Sequence, residues 1–177
     1  MDYVTRIHLK RDDNIRKELI DFCLNNSEQY LALGWSWLSE DIKFDDFLEY
    51  YNRIKKHNGK ANPAINVFKD AQIDDLFWTR DLSGNYWICK AKSPAIVVCD
   101  THLDIGSVIR VDAFNVGMQV PGQIKSSFNR PLGGTVERIR DKSIIEYSKL
   151  IFNKFSKKNY FEVTTYSGGL LDNLPEF

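Results

Sequence analysis

Trp78, Thr79, Arg80 and Asp81 lie in the stretch DDLFWTRDLSGNYWICK, 74 to 90, where aromatic side chains surround a charged centre. An indole stacks on a flat ring while Arg, Thr or Asp hydrogen-bonds that ring's edge, so these types at this spacing suit a wall that holds a nucleobase. Strand alternation puts Trp78 and Arg80 on one face. Turned inward, the same face is ordinary core, as most aromatic clusters are. The four tryptophans fall at 35, 37, 78 and 87, the first two in Gly34-Trp35-Ser36-Trp37. If the two segments are neighbours, the indoles meet.

A second candidate set is basic. Between 123 and 158 nine Lys or Arg face three acids, and Lys125, Arg130, Arg138, Arg140 and Lys142 cluster around a turn and a strand end, where cations hold phosphates. The loops VPG and FNRPLGG add exposed backbone N–H groups that also bind phosphate. Residues 37 to 50 lean the other way, with five acids and one Lys. The chain as a whole is neutral, 24 basic against 24 acidic residues, so no global field draws it to polyanions and local asymmetry must do so.

Other chemistries lack their residues. No Gly-x-Ser-x-Gly elbow occurs, and Cys23, Cys89 and Cys99 sit in no catalytic-thiol signature. Gly133-Gly134-Thr135 lacks the Lys and the glycine spacing of a phosphate loop and reads as a turn. Cys99-Asp100-Thr101-His102 is a single Cys-x-x-His pair with no second pair to complete a zinc site, so no metal or cofactor is expected. The nearest approach to a magnesium nuclease motif, Asp41-Ile42-Lys43, lies in the acidic stretch and is better explained as a solvated lead-in to a helix. Three widely spaced cysteines argue for a reducing compartment, and no apolar run approaches a membrane span, so a soluble cytoplasmic protein is expected.

These side chains must be positioned by a modest scaffold of 177 residues. YVTRIHLK (3 to 10) reads as a strand, and Asp12 or Asp13 as cap of a helix carrying Ile15, Leu19, Ile20, Phe22 and Cys23. YLALGWSW (30 to 37) reads as a strand running into Gly34, where the backbone can turn or let a ligand approach. Helices follow over 44 to 59 and 62 to 71, the second capped by Asn62 with Pro63 behind it. From 74 the period changes to two: a hairpin around Ser83-Gly84-Asn85, a strand at AIVV, another over 106 to 117, a short helix QIKSSF and a strand TVERI. A long helix from 143 to 158 carries Ile144, Ile145, Tyr147, Ile151, Phe152 and Phe155, and the last stretch, from Asn159, adds an edge strand. Five or six short strands among four helices lack a regular βαβ rhythm, which predicts an α+β fold with a small, strongly curved sheet or barrel flanked by helices.

The order of strand, helix, GWSW, DDLFWTRD…GNYWICK, then NVGMQVPGQIKSSF and TVERI, resembles the PUA-like superfamily, especially its EVE-type and YTH-like modified-base readers. The resemblance implies a PUA-like β-barrel over 1–157, with 158–177 as a C-terminal extension and possible start of a further domain. It implies a base pocket in which Trp35 and Trp37 form one wall and Trp78, Thr79, Arg80 and Asp81 the other. Trp87 and Asp104 join that set, although THLDIGSVIRV departs from the family's pattern around Asp104. Such domains are often fused to restriction-type nucleases or their motor subunits, and the abrupt apolar ending LLDNLPEF is expected of an excised N-terminal domain.

The resulting expectation is a non-catalytic domain without cofactor that flips a base, DNA in preference to RNA, and senses a modification within a restriction or phage-defence system. The alternatives are a metal-dependent nuclease or RNA-processing domain whose carboxylates assemble from distant segments, and a protein-interaction module using the Phe152 and Phe155 face.

Overall fold

The computed structural model describes residues 1–9, 15–60, 62–130 and 133–164. Val4–Ile7 forms β1, and all four residues are buried, so the strand is covered on both faces. It pairs in parallel with β3 (Leu76–Arg80), Thr5 opposite Phe77, and antiparallel with β7 (Val136–Ile139), Arg6 opposite Glu137. A parallel pair needs a long crossover, and residues 8–75 supply it. The chain forms two compact units, the first from Met1–Ile7, Leu76–Cys89 and the chain from Phe114 on, the second from His8–Asp75 and Lys90–Ala113.

In the first unit the hydrogen-bonded order is β6-β4-β3-β1-β7, where β4 is Tyr86–Ala91 and β6 is Ile105–Gly117. Both strands run on into the second unit. Two helices belong here, α4 (Gly122–Phe128) and α5 (Lys142–Ser156). The α5 stripe of Ile144, Ile145, Ile151 and Phe152 packs with Val4, Leu76, Trp78, Tyr86 and Ile88 in one core, as the 3.6-residue spacing predicts. Asp141 caps α5 by accepting from Ser143 N at 2.8 Å and Ile144 N at 3.3 Å.

In the second unit β6 has β2 (Gln29–Leu33) on one edge, Leu31 opposite Ile109, and β5 (Ile96–Asp100) on the other, both antiparallel. Helix α1 (Arg16–Leu24) packs on β2 and buries Leu19, Ile20, Cys23 and Leu24. Helices α2 (Phe47–Asn58) and α3 (Pro63–Asp70) start where capping side chains stand: Asp46 accepts from Glu49 N, and Asn62 from Ala64 N with Pro63 next in line. Gly59, at φ 73°, ends α2 in the left-handed conformation that glycine adopts without strain.

The fold is therefore α+β, with a mixed, largely antiparallel set of strands and helices packed against them. Three expectations need correction or fall outside the description. YLALGWSW stops being a strand at Leu33, because Trp35 takes the left-handed conformation and Ser36–Leu38 close a 3-10 turn. No strand forms over residues 159–164, and any strand beyond them lies outside the described residues, as do Asp12 and Asp13. Among the described residues no helix is long and apolar enough to cross a membrane.

Candidate nucleic-acid interface

The hairpin was expected to wall a pocket, and its side chains are used inside the first unit. Trp78 is 0% exposed, and its indole Nε1 donates to Ser148 Oγ at 2.9 Å. A ring with no open face offers nothing to stack on. The cause lies in the pattern itself: Leu76, Trp78, Tyr86 and Ile88 turn inward together to meet α5. Thr79 is equally buried and donates to Ile7 O, tying β3 to β1. Arg80 shares the Trp78 face as alternation requires, but its guanidinium lies 5.2 Å from the Phe128 ring and 5.9 Å from the Tyr86 ring, and it donates to Asn129 Oδ1. Asp81 accepts from Ser83 N, Asn85 N and Trp87 Nε1, each within 3.0 Å, so it holds the hairpin turn and orients a buried Trp87. These residues build the hairpin: Trp78 and Thr79 are buried and Asp81 is engaged by its own turn, which leaves the half-buried Arg80 as the one of the four with guanidinium N–H groups beyond its bond to Asn129.

The GWSW segment, in the second unit, is different. Trp37 is 54% exposed on its 3-10 turn, with its ring centroid 4.7 Å from that of His57 and the two planes at 87°. The turn beneath it is pinned from several directions. Asp104 accepts from Ser36 N at 3.0 Å and Ser36 Oγ at 2.8 Å. Ser36 O in turn accepts from Ser39 Oγ at 2.7 Å and from the Cys99 thiol at 3.4 Å. Arg53 of α2 donates to Leu38 O and Glu40 O, and the Tyr50 hydroxyl donates to Gly34 O.

This fastening holds two unfavourable backbone states. Trp35 sits at φ 60° and Asp104 at φ 52°, conformations that cost a side-chain-bearing residue on the order of 1–2 kcal/mol each. Trp35 is half-buried and shapes the turn, whereas Trp37 is presented by it. Asp104 is an anchor for the loop. Gly34 and Gly106 let the chain itself come close: a Cβ on Gly34 would stand 2.9 Å from Asp104 Oδ2, and one on Gly106 only 2.3 Å from the Tyr50 hydroxyl oxygen. The close approach anticipated at Gly34 is thus made by Asp104, an internal neighbour.

Burial pushes the Tyr50 phenol well above the ordinary tyrosine range, the Ser107 hydroxyl beside it opposes the shift, and the Asp104 charge adds to it. A folded-state pKa above the unfolded value of about 10 means that the unfolded chain releases its proton first as pH rises. Stability should therefore fall with pH above about 10. Urea denaturation at pH 9 and pH 11 checks this, with Tyr50→Phe showing a smaller loss than wild type; equal losses would remove Tyr50 from the account. Tyr147, also raised by burial, supplies part of what remains.

Lys55, Lys56, His57 and Lys60 are all exposed at the C-terminal end of α2, the end that meets Trp37 through His57. In the sequence KKHNG reads only as the end of the helix over 44 to 59. Its signal was available: three lysines and a histidine within six residues, in a segment whose acids all lie at the other end of the helix. The acidic run of 40 to 49 belongs to that N-terminal end, so α2 separates the two charges along its length.

The predicted phosphate residues belong to the first unit. Arg138 and Arg140 place their guanidinium carbons 4.8 and 5.2 Å from the Tyr3 ring, a cationic and aromatic platform beside β7, the terminal strand of its ladder. Lys142 is exposed as the first residue of α5, and Lys125 is exposed on α4. Arg130 is joined to Glu137 at 2.9 Å. Among the described residues no group of three or more His, Cys, Asp or Glu side chains is placed to hold a metal ion. His102 of the Cys-x-x-His pair instead meets Glu18 at 2.7 Å, while Cys99 bonds to Ser36 O.

No family model matches the chain, and none of the curated proteins or solved structures matches it.

Proposed function

We propose that this chain is a nucleic-acid-binding domain that stacks an unpaired base on Trp37 and takes the neighbouring phosphates on Lys55, Lys56 and Lys60. The observation that carries the reading is a more than half-exposed indole on a turn fastened by side chains from α2, β5 and Asp104. An exposed Trp is usually a cost in solubility, and a turn held this firmly loses little further freedom when a ligand arrives. The lysines favour a polyanion, and a planar base is the matching partner for the ring. The PUA-like resemblance, with its barrel and its modified-base pocket, supports the same class of ligand and favours DNA that offers a flipped base. Arg138, Arg140 and Tyr3 give the first unit a cationic platform of its own.

Fluorescence anisotropy with labelled oligonucleotides tests the reading. A DNA duplex with one unpaired base should bind more tightly than its fully matched counterpart, with methylated cytosine or adenine at that position and an RNA version as further arms. With three lysines on phosphates, log K should fall against log salt with a slope of about −3, from about −0.9 per contact on a duplex. Equal binding of matched and unpaired duplexes, or affinity indifferent to salt, would reject the proposal.

A further inference from the structure

The first unit contains more positive charge than its own carboxylates answer. Arg6 is 1% exposed, and its guanidinium donates to Gly134 O at 2.5 Å and, at a long 3.4 Å, to Glu137 Oε2. Its Nε is buried with no hydrogen-bond partner. Glu137 gives its shorter contact, 2.9 Å, to Arg130. A third guanidinium, that of Arg80, lies against the same Phe128 ring as Arg6, at 5.2 and 5.7 Å, and it donates to the neutral Asn129. Among the described residues Glu137 is the one carboxylate hydrogen-bonded to any of the three. Three guanidinium charges against one carboxylate leave a surplus of two. Burial lowers the Arg6 pKa in spite of Glu137, and the Arg130 charge adds to the lowering, which is what an under-neutralised cluster produces.

We infer that Arg6, Arg80 and Arg130 form a binding site for a phosphate group, in which Glu137 is the resident counter-ion. A doubly charged phosphate balances the surplus, opposite in sign and equal in amount, and its oxygens accept in pairs from guanidinium forks. Arg130, 51% exposed, and Glu137, 27% exposed, mark the side from which it arrives. There the phosphate takes Arg130 from Glu137 Oε1, and Glu137 is left to pair with Arg6 alone. The site belongs to the first unit and does not depend on the Trp37 reading. Its ligand is a phosphate group, whether free or at the end of a nucleic acid.

Isothermal titration of the full chain with inorganic pyrophosphate, and with a 5′-phosphorylated oligonucleotide against its 5′-hydroxyl twin, distinguishes the two sources. Pyrophosphate carries no base, so its failure leaves the Trp37 proposal standing, and failure at Trp37 leaves this one standing. Wild type should bind at least one phosphate-bearing probe, and Arg130→Gln should weaken it about tenfold or more, as for loss of a charged hydrogen bond. Glu137→Gln should tighten it several-fold by removing the competitor. Binding of neither probe, or an Arg130→Gln affinity equal to wild type, overturns the site. An unchanged affinity in a folded Glu137→Gln overturns the counter-ion role. Should Glu137→Gln fail to fold once Arg6 loses its partner, Arg80→Gln takes its place, with weakened binding expected and wild-type affinity counting against the site.

Discussion

Alanine at Trp37 should weaken binding of an oligonucleotide with an unpaired base by about tenfold or more, because base–aromatic stacking is worth about 1–3 kcal/mol per base. The fold should hardly notice. Among the described residues Trp37 makes one ring contact, with His57, and it is more than half exposed, so the change in stability should stay within about 0.5 kcal/mol. Trp78→Ala should do the reverse. It empties a fully buried site, removes the indole N–H from a Ser148 hydroxyl that keeps only its donation to Ile144 O, and should cost about 3–5 kcal/mol by urea denaturation. The Trp78 variant must therefore be tested for binding at a temperature where it is still folded. A Trp37→Ala variant that binds as wild type does would end the stacking model, however the salt dependence came out.

Gly106→Ala carries the second large effect. The new methyl carbon would stand 2.3 Å from the Tyr50 hydroxyl oxygen and 2.5 Å from Gly34 O, inside any tolerable contact, so either β2 and β6 separate or Tyr50 swings out and gives up its bond to Gly34. Overpacking of this kind costs about 1–3 kcal/mol or more, and the upper end is expected because one of the obstacles is main chain. Removing the phenol oxygen as well, in Gly106→Ala with Tyr50→Phe, relieves the closest clash but leaves the ring carbon Cζ at 2.8 Å and the Gly34 carbonyl in the way, so the double variant should remain destabilised. The same substitution should also lower affinity, since the Trp37 turn is hung on those groups. Denaturation curves and anisotropy on one preparation measure both, and a Gly106→Ala protein of wild-type stability would contradict the packing described around Tyr50.

Much of the fold was legible because local rules and tertiary packing agreed. Asn62 with Pro63 announced α3, the Ser83-Gly84-Asn85 turn announced the β3–β4 hairpin, and the spacing of Ile144, Ile145, Ile151 and Phe152 announced the buried face of α5. The candidate site was legible in part. Alternation correctly put Trp78 and Arg80 on one face, but period two does not say which side of a strand is the core, and α5 decided it. GWSW read as the end of a strand because a left-handed tryptophan has no local signal; Asp104, 68 residues away from Ser36, holds that turn. The lysines of KKHNGK were visible as composition, but their place beside Trp37 depends on the contact of His57 with that ring. Arg6 and Glu137 were hidden for the same reason: their register across β1 and β7 is a tertiary fact.

The long reach of the Asp104 contacts also has a meaning in time. A ribosome adding about 5–20 residues per second needs roughly 3–14 seconds to travel the 68 positions from Ser36 to Asp104. Through that interval the nascent Gly-Trp-Ser-Trp segment exists without its carboxylate anchor and has only the local bonds of its own turn, such as Leu38 N to Trp35 O and Ser39 Oγ to Ser36 O. The surface that displays Trp37 is consequently made late, after much of the protein has already been synthesised, and a ligand has nothing to grip on a half-made chain.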